Sequence, residues 1–290
     1  TVVGNPVGVM IALRGGLTFM DFLRWATPIS ILALAIVIPL SIYYFSGDIR
    51  RLDERLKLEV KEGEEGTRER GVVSGKGLLI SSILFLGTIT FLILHGFIEE
   101  VLHLAKNSML LGTALGAASI ALLIEHEKAK ELVERRVDWW TLAFFMMLFA
   151  SVGTLSYVGV TGRIAGAMLS LNIGGEFGLL TIFTWVTGVL SAFMDNVLAV
   201  ATLIPVVIDL GNLGVHTFPF WWAALFSSTF FGNLTMIGST ANIVAIGMIE
   251  SRKLGNITMS QWIKPGLLVS VSSLLLAFLL LYLQYPLMPR

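Results

Sequence analysis

The chain has 290 residues, 55% hydrophobic and only 14% charged, with a mean hydropathy of +0.82. A soluble domain carries about 25% charged residues, so this is the composition of an integral membrane protein. Lys plus Arg and Asp plus Glu number 20 each, which gives no basic excess for nucleic acid, and the absence of Cys excludes disulfides, thiolate metal sites and Cys nucleophiles.

The opening Thr1-Val2-Val3-Gly4-Asn5-Pro6 has neither the basic start nor the cleavage segment of a signal peptide. With no initiator Met, the chain reads as cut from something longer. A helical span needs about 20 apolar residues, so Val2 to Leu13 reads as the second half of a broken helix. Thr27 to Phe45 predicts a full span. Residues 46–76 are dense in charge of both signs. Ile49, Leu52, Leu56 and Val60 recur there at helical spacing, which suits an amphipathic surface helix or a solvated linker. Gly77 to Ile98 and Ser108 to Ile124 predict spans. His95, Glu99, Glu100 and His103 near their junction read as an interfacial polar rim rather than a metal or pH-sensing cluster. Glu125 to Arg136 reads as a second charged loop. Trp139 to Val158 predicts a span opened by an Asp138 cap and an aromatic belt, and a short amphipathic piece follows to Leu171.

The next run, Glu176 to Leu210, is apolar but interrupted by Asp195-Asn196 within Ser191-Ala192-Phe193-Met194-Asp195-Asn196-Val197. A carboxylate at membrane depth is costly and is read as functional by default. A polar break with arms too short to span favours a re-entrant hairpin over a kinked helix. Phe218 to Phe231 and Ile243 to Ile249 flank Gly232–Asn242, rich in Gly, Thr, Ser and Asn. Such residues are tolerated at depth only where protein or a cavity surrounds them, so this stretch reads as a discontinuous helix. Gly266 to Tyr282 predicts the last span. Glu176 and Asp209, near the hairpin ends, read as solvated, with ion access as the alternative role.

Basic residues orient the spans. Eight lie in 46–76, four in 125–137 and three in 251–264, against five elsewhere. The sides alternate only if 176–210 returns to the face it entered from, as a hairpin with its mouth outside does. Residues 46–76 and 125–137 are then cytoplasmic.

Two stretches repeat. Thr1-Val2-Val3-Gly4-Asn5-Pro6 is similar to Thr235-Met236-Ile237-Gly238-Ser239-Thr240. Leu17-Thr18-Phe19-Met20-Asp21-Phe22 before Pro28 is similar to Ile257-Thr258-Met259-Ser260-Gln261-Trp262 before Pro265. The charge count puts the copies on opposite sides, which predicts an inverted repeat with a further half upstream, on the order of a hundred residues or more at about 20 per span.

Residues 191–205 (SAFMDNVLAVATLIP), 232–247 (GNLTMIGSTANIVAIG) and 137–141 (VDWWT) together resemble the family of arsenite permeases, NhaD-type sodium–proton antiporters and the P protein, within the ion transporter superfamily that includes citrate and dicarboxylate carriers. Residues 1–6 look like its first-repeat broken helix. The resemblance implies an all-α, polytopic, inverted-repeat secondary transporter of elevator type. Its substrate would lie between hairpin tips and helix breaks, and its scaffold helices would form a homodimer. On this frame 1–45 ends the first repeat, 46–76 is the charged loop and 77–172 is scaffold. Residues 173–290 are the transport part, with hairpin 176–210, broken helix 218–250 and last span 266–284. Dicarboxylate carriers usually have Ser-Asn-Thr at the tip, where this chain has Met194-Asp195-Asn196.

The site residues expected to bind substrate or ion are Asp195, Asn196, Thr235, Gly238, Ser239, Thr240 and Asn242, with Gly4, Asn5 and Pro6 from the first repeat. Each has a structural alternative. Asp195 suits an N-cap, which is compatible with a ligand role; the Thr, Ser and Asn suit freed backbone groups; Gly4, Gly232 and Gly238 suit backbone geometry. The leading expectation is a sodium–proton type antiporter of the cytoplasmic membrane, with Asp195 as buried titrating carboxylate and possible sodium or proton site. Arsenite or another oxyanion efflux comes second and citrate-type anion transport third. No cofactor beyond sodium or proton coupling is expected, and no Gly-rich phosphate loop appears. The partners are a small inorganic ion or oxyanion and the bilayer. A channel is disfavoured by the repeat, and an enzyme by a single deep carboxylate.

Overall fold

The structure is a computed structural model describing residues 5–62, 75–105, 108–171, 174–253 and 255–289. Gly4 and the rest of the first four residues therefore lie outside the described residues, as do 63–74 of the charged segment. No strand occurs among the described residues. Among the described residues five helices are long and apolar enough to cross a membrane, or six if one bent pair counts as a span. The protein is a polytopic all-α membrane protein built as two compact units, Thr1–Val37 with Val137–Arg290, and Ile38–Arg136.

The smaller unit holds α3 (Ser46–Glu62), α4 (Gly75–Val101), α5 (Ser108–Ile124) and α6 (His126–Arg136). Residues 46–62 are helical, as the Ile49 and Leu52 spacing predicts. The apolar window of α4 has no residue buried among the described residues. Two expectations fail here. Residues 126–136 are helical turns bent 98° from α5, not a loop; Lys130 and Glu134, one turn apart at 3.8 Å, can support a helix there. Half of the expected polar rim is not at the surface: His95 and Glu99 are buried, at 0% and 6% exposure, while Glu100 and His103 are exposed. A carboxylate oxygen of Glu99 accepts the Met109 amide at 2.8 Å, satisfying one of the orphan donors that open α5.

The larger unit begins with α1 (Pro6–Gly15). Asn5, in extended conformation, accepts the Gly8 amide at 2.8 Å, and Pro6 stands where no donor is needed. Gly16 at φ 62 ends the helix. The next helix, α2 (Phe19–Tyr44), starts eight residues before the expected span. Thr18 and Asp21 form a capping box, and a π turn at Phe22–Ala26 carries the helix on. Pro28 has no amide and crowds the carbonyl four residues back. The widened turn, with the Thr27 amide and hydroxyl both directed at the Phe22 carbonyl, leads the helix into it.

The others are α7 (Trp139–Tyr157), α8 (Val160–Ser170), α9 (Gly175–Phe193), α10 (Asn196–Asn212), α11 (Phe218–Phe231), α12 (Thr240–Ser251) and α13 (Met259–Gln284). Asp138 caps α7 through the Thr141 amide at 3.0 Å and hydroxyl at 2.6 Å. The Thr141 hydroxyl, with that amide, holds its carboxyl below the usual carboxylate range. Helix α11 is apolar all round, the pattern of a central helix, and most of its residues are buried. It packs against α9, α13, α10 and α1. Its rings anchor neighbours edge-on: Phe220 against Phe183 at 5.3 Å, Trp222 against Phe22 at 5.0 Å, Phe231 against Trp185 at 5.8 Å. Ser227 and Ser228, buried in α11, return their hydroxyls to carbonyls one turn back at 2.6 Å, which satisfies them without a partner helix.

Helix α13 begins at Met259, seven residues before the expected span, and carries Pro265 inside it. Its start repeats the device at α2: Thr258 and Gln261 form a second capping box. The Asn5 and Ser239 caps are likewise both extended. The paired motifs thus fold into paired local structures.

Candidate functional site

Helices α9 and α10 form a hairpin. Phe177, in the first turn of α9, and His216, just beyond α10, both lie against the ring of Tyr285, at 4.4 and 5.5 Å. The open ends therefore meet, and the link Met194-Asp195 is the tip. One reason given for a hairpin fails: α9, at 19 residues, is apolar and long enough to cross a membrane by itself. Its polar Thr181 and Thr184 return their hydroxyls to carbonyls one turn back at 2.7 Å, so they do not shorten it.

The tip lies on the break between α11 and α12, joined by one backbone hydrogen bond and by side chains bonded to backbone. The Asn196 amide donates to the Gly238 carbonyl at 3.2 Å. The buried Thr235 hydroxyl donates to the Ala192 carbonyl, and the Ser191 hydroxyl to the Ser228 carbonyl at 2.7 Å. A Cβ at Gly238 would stand 2.6 Å from the Gly232 carbonyl oxygen and 2.8 Å from that of Ser191. Only glycine admits this approach. Inside the break, the Asn242 amide donates to the Gly232 and Thr235 carbonyls at 3.2 and 3.3 Å. Helix α13 closes the far side: Trp262 Nε1 donates to the Asn233 carbonyl at 3.1 Å, and Gly266 leaves room for the Leu234 and Asn233 carbonyls.

Asp195 sits where two helices begin. One oxygen accepts the Val197 amide at 2.9 Å, capping α10. The other accepts the Thr240 amide at 3.0 Å and the Thr240 hydroxyl at 2.6 Å, at the start of α12. Helix N-termini carry about half a positive charge, so two of them face one carboxylate, and charge-assisted bonds are the stronger class. Contrary to expectation Asp195 is only half-buried. The reason is geometric: as cap to both helices it sits at their ends, outside the packed interior.

Of the predicted residues, the structure therefore brings Asp195, Asn196, Thr235, Gly238, Ser239, Thr240 and Asn242 together. Thr235 and Asn242 are buried and occupied with backbone carbonyls. The Asn196 amide and Ser239 hydroxyl side chains are half-buried and make no hydrogen bond among the described residues. Asn5 and Pro6 open α1, which packs on α10. The C-terminal ends of both helices lie at the start of α11, Gly15 against Trp221 and Gly211 against Thr217, so the two helices run the same way and their N-termini lie toward the same end. Ser191, Ser228, Trp262 and Gly266 were not singled out from the sequence. Ser191 stood inside the quoted tip motif and Trp262 inside the quoted repeat; nothing local marks Ser228 and Gly266, whose role is contact across helices. Among the described residues no group of three or more His, Asp and Glu is placed to hold a metal ion.

A family model described as citrate transporter matches residues 1–226 and 163–289. The chain is 32% identical to an uncharacterized transporter of Mycobacterium tuberculosis, over 98% of this chain and 64% of the relative. It is 33% identical, with the same coverage, to a 46 kDa membrane protein of Mycobacterium leprae. To the human P protein it is 27% identical over 78% of this chain and 27% of that protein. The chain thus spans less than two thirds of the length of these relatives.

Proposed function

This chain belongs to the CitMHS citrate transporter family, and from that membership we propose that it forms the larger part of a secondary transporter for a small carboxylate anion of the citrate kind. The observation that carries this reading is the state of Asp195: both oxygens are engaged in capping α10 and α12. Its charge is offset by the two helix N-termini it faces. The Asn196 amide and Ser239 hydroxyl beside it remain open to a ligand, and helix N-termini with free polar groups suit a carboxylate. Asn5 and Pro6 bring a third N-terminus toward the same end, and Gly4 would precede it.

On this reading Thr235, Gly238 and Asn242 shape the site, and Asn196, Ser239 and Thr240 contact the substrate. The transport part is 173–290, with the hairpin re-entering from outside and 46–76 and 125–137 in the cytoplasm. The paired capping devices support an inverted repeat, the architecture in which one part of a transporter moves against the other. The scaffold helices of 77–172 offer the dimer surface.

A second reading, sodium–proton exchange of the NhaD or arsenite-permease kind, is favoured by one feature: Asp195 stays half-exposed, within reach of a cation. One experiment separates them. The intact protein in proteoliposomes is offered citrate, sodium, lithium and arsenite at several pH values, with Asp195→Asn alongside. Carboxylate transport predicts citrate uptake that survives the substitution within about tenfold, since Asn is also a good cap. Sodium exchange that disappears in the variant, without citrate uptake in either protein, would overturn it.

A further inference from the structure

A cavity of about 590 Å³ lies between α1, α7 and α10, away from the hairpin tip. Most of its wall is apolar: Met10, Leu13, Phe149, Val152, Ile204 and Ile208 line it. Two opposite charges also line it, Arg14 and Asp209. No ion pair or hydrogen bond joins either side chain to another group among the described residues.

The C-terminal ends of the three helices meet here: a Cβ on Gly162, just after α7, would stand 3.7 Å from Asp209 Oδ2, and one on Gly15 would stand 3.1 Å from Trp221, at the start of the helix that follows α10. Arg14 is in the last turn of α1, Ser156 and Tyr157 end α7, and Asp209 is in the last turn of α10. The polar groups therefore share one end of the cavity, and the apolar residues Met10, Phe149 and Ala201 lie at the other. Ala201 to Asp209 is about 12 Å of helix at about 1.5 Å per residue, close to the roughly 15 Å of one leaflet of the hydrocarbon core. Tyr157, 92% exposed at the polar end, suits the headgroup level where Tyr collects.

We propose that this slot binds a membrane phospholipid whose zwitterionic head carries a primary ammonium, with phosphate at Arg14, ammonium at Asp209 and an acyl chain along α7 and α10. Charge complementarity selects the head. The Asp209 carboxylate gives this end the negative charge with which a cationic amine pairs. That carboxylate accepts N–H donors, which a quaternary ammonium lacks. Arg14 supplies the planar donor set suited to phosphate. Gly153 of α7 keeps the wall open, since a Cβ there would meet nothing within 4 Å.

The intact protein is purified after equilibration with equimolar phosphatidylethanolamine, phosphatidylcholine and phosphatidylglycerol, and retained lipids are measured by mass spectrometry. Phosphatidylethanolamine is expected to be enriched about tenfold over either other lipid, the effect of one charge-assisted hydrogen bond. The enrichment should vanish in Asp209→Asn and in Gly153→Leu, which fills the slot. It should persist in Gly247→Leu, a glycine of α12 that also has nothing within 4 Å. If one of the first two variants does not elute as a monodisperse peak, the other decides. Equal retention of the three lipids, preference for phosphatidylglycerol, absence of retained lipid, or enrichment unchanged in both slot variants would each overturn the proposal.

Discussion

Asp195 and Gly238 show how single residues can close a gap between two broken elements. Asp195 does it with charge, accepting three donors from two helix starts. Gly238 does it with absence, since its missing Cβ lets the carbonyls of Gly232 and Ser191 approach. The contrast between two glycines gives a sharp test. Gly238→Ala forces backbone apart and is expected to lower stability by about 3 kcal/mol, the upper range for overpacking. Gly247→Ala, in open space within α12, is expected to raise it by roughly 0.5–1 kcal/mol through helix propensity. Thermal unfolding of both variants in detergent checks this; equal midpoints would mean the tip and break are not in contact. The Asp-Asn tip was legible in the sequence because a carboxylate in an apolar run is costly. Its engagement was not legible, because Thr240 lies 45 residues away and no local pattern pairs them.

Elements matched expectation at the Asp138 cap and at the break before Thr240, both readable from local chemistry. The Thr18 and Thr258 boxes and the Asn5 cap are equally local, yet were not expected. Helix starts were misplaced where expectation followed hydropathy alone: α2 and α13 begin about two turns earlier, at capping boxes, on sequence too polar to count as span. The hairpin is held at its mouth by the last helix, where the Tyr285 hydroxyl donates to Glu176 and His216 Nε2 lies 2.6 Å from the Pro289 carbonyl oxygen. Glu176 is therefore a bonded residue rather than a merely solvated one. Tyr285→Phe removes a bond to a carboxylate, worth about 1.5–3 kcal/mol. Amide hydrogen exchange is expected to rise about tenfold or more in the first turn of α9 while the tip amides of Asn196 and Val197 keep their protection. Equal loss at both ends would show that the hairpin opens as one unit and that the mouth is no separate anchor.

At the scale of the whole molecule, the distribution of basic residues predicts the topology, and the absence of Cys makes it directly measurable. Single cysteines at Asp48, in the charged segment, and Leu213, at the hairpin mouth, are both on exposed positions. In intact cells a membrane-impermeant maleimide is expected to label Leu213→Cys, and Asp48→Cys only after permeabilisation. Labelling of both from one side would overturn the re-entrant topology. Among the described residues α4 has no buried residue in its apolar window while most of α11 is buried, although both read as apolar runs. Hydropathy scores the side chain and is blind to whether lipid or protein lies opposite.

Composition and local pattern by themselves determined that this is a polytopic helical membrane protein, where its chain breaks, and which residues gather at the breaks. Those features follow from local energetics: helices need caps, apolar runs need lipid or protein, and polar groups at depth need partners. Only the tertiary structure decided what the polar groups do once gathered. It assigned Thr235 and Asn242 to backbone carbonyls, bonded Asp195 to two helix starts and left Asn196 and Ser239 open. It also buried His95 and Glu99. These outcomes depend on which carbonyl or amide arrives from another helix, and that is set by packing between residues distant in the chain.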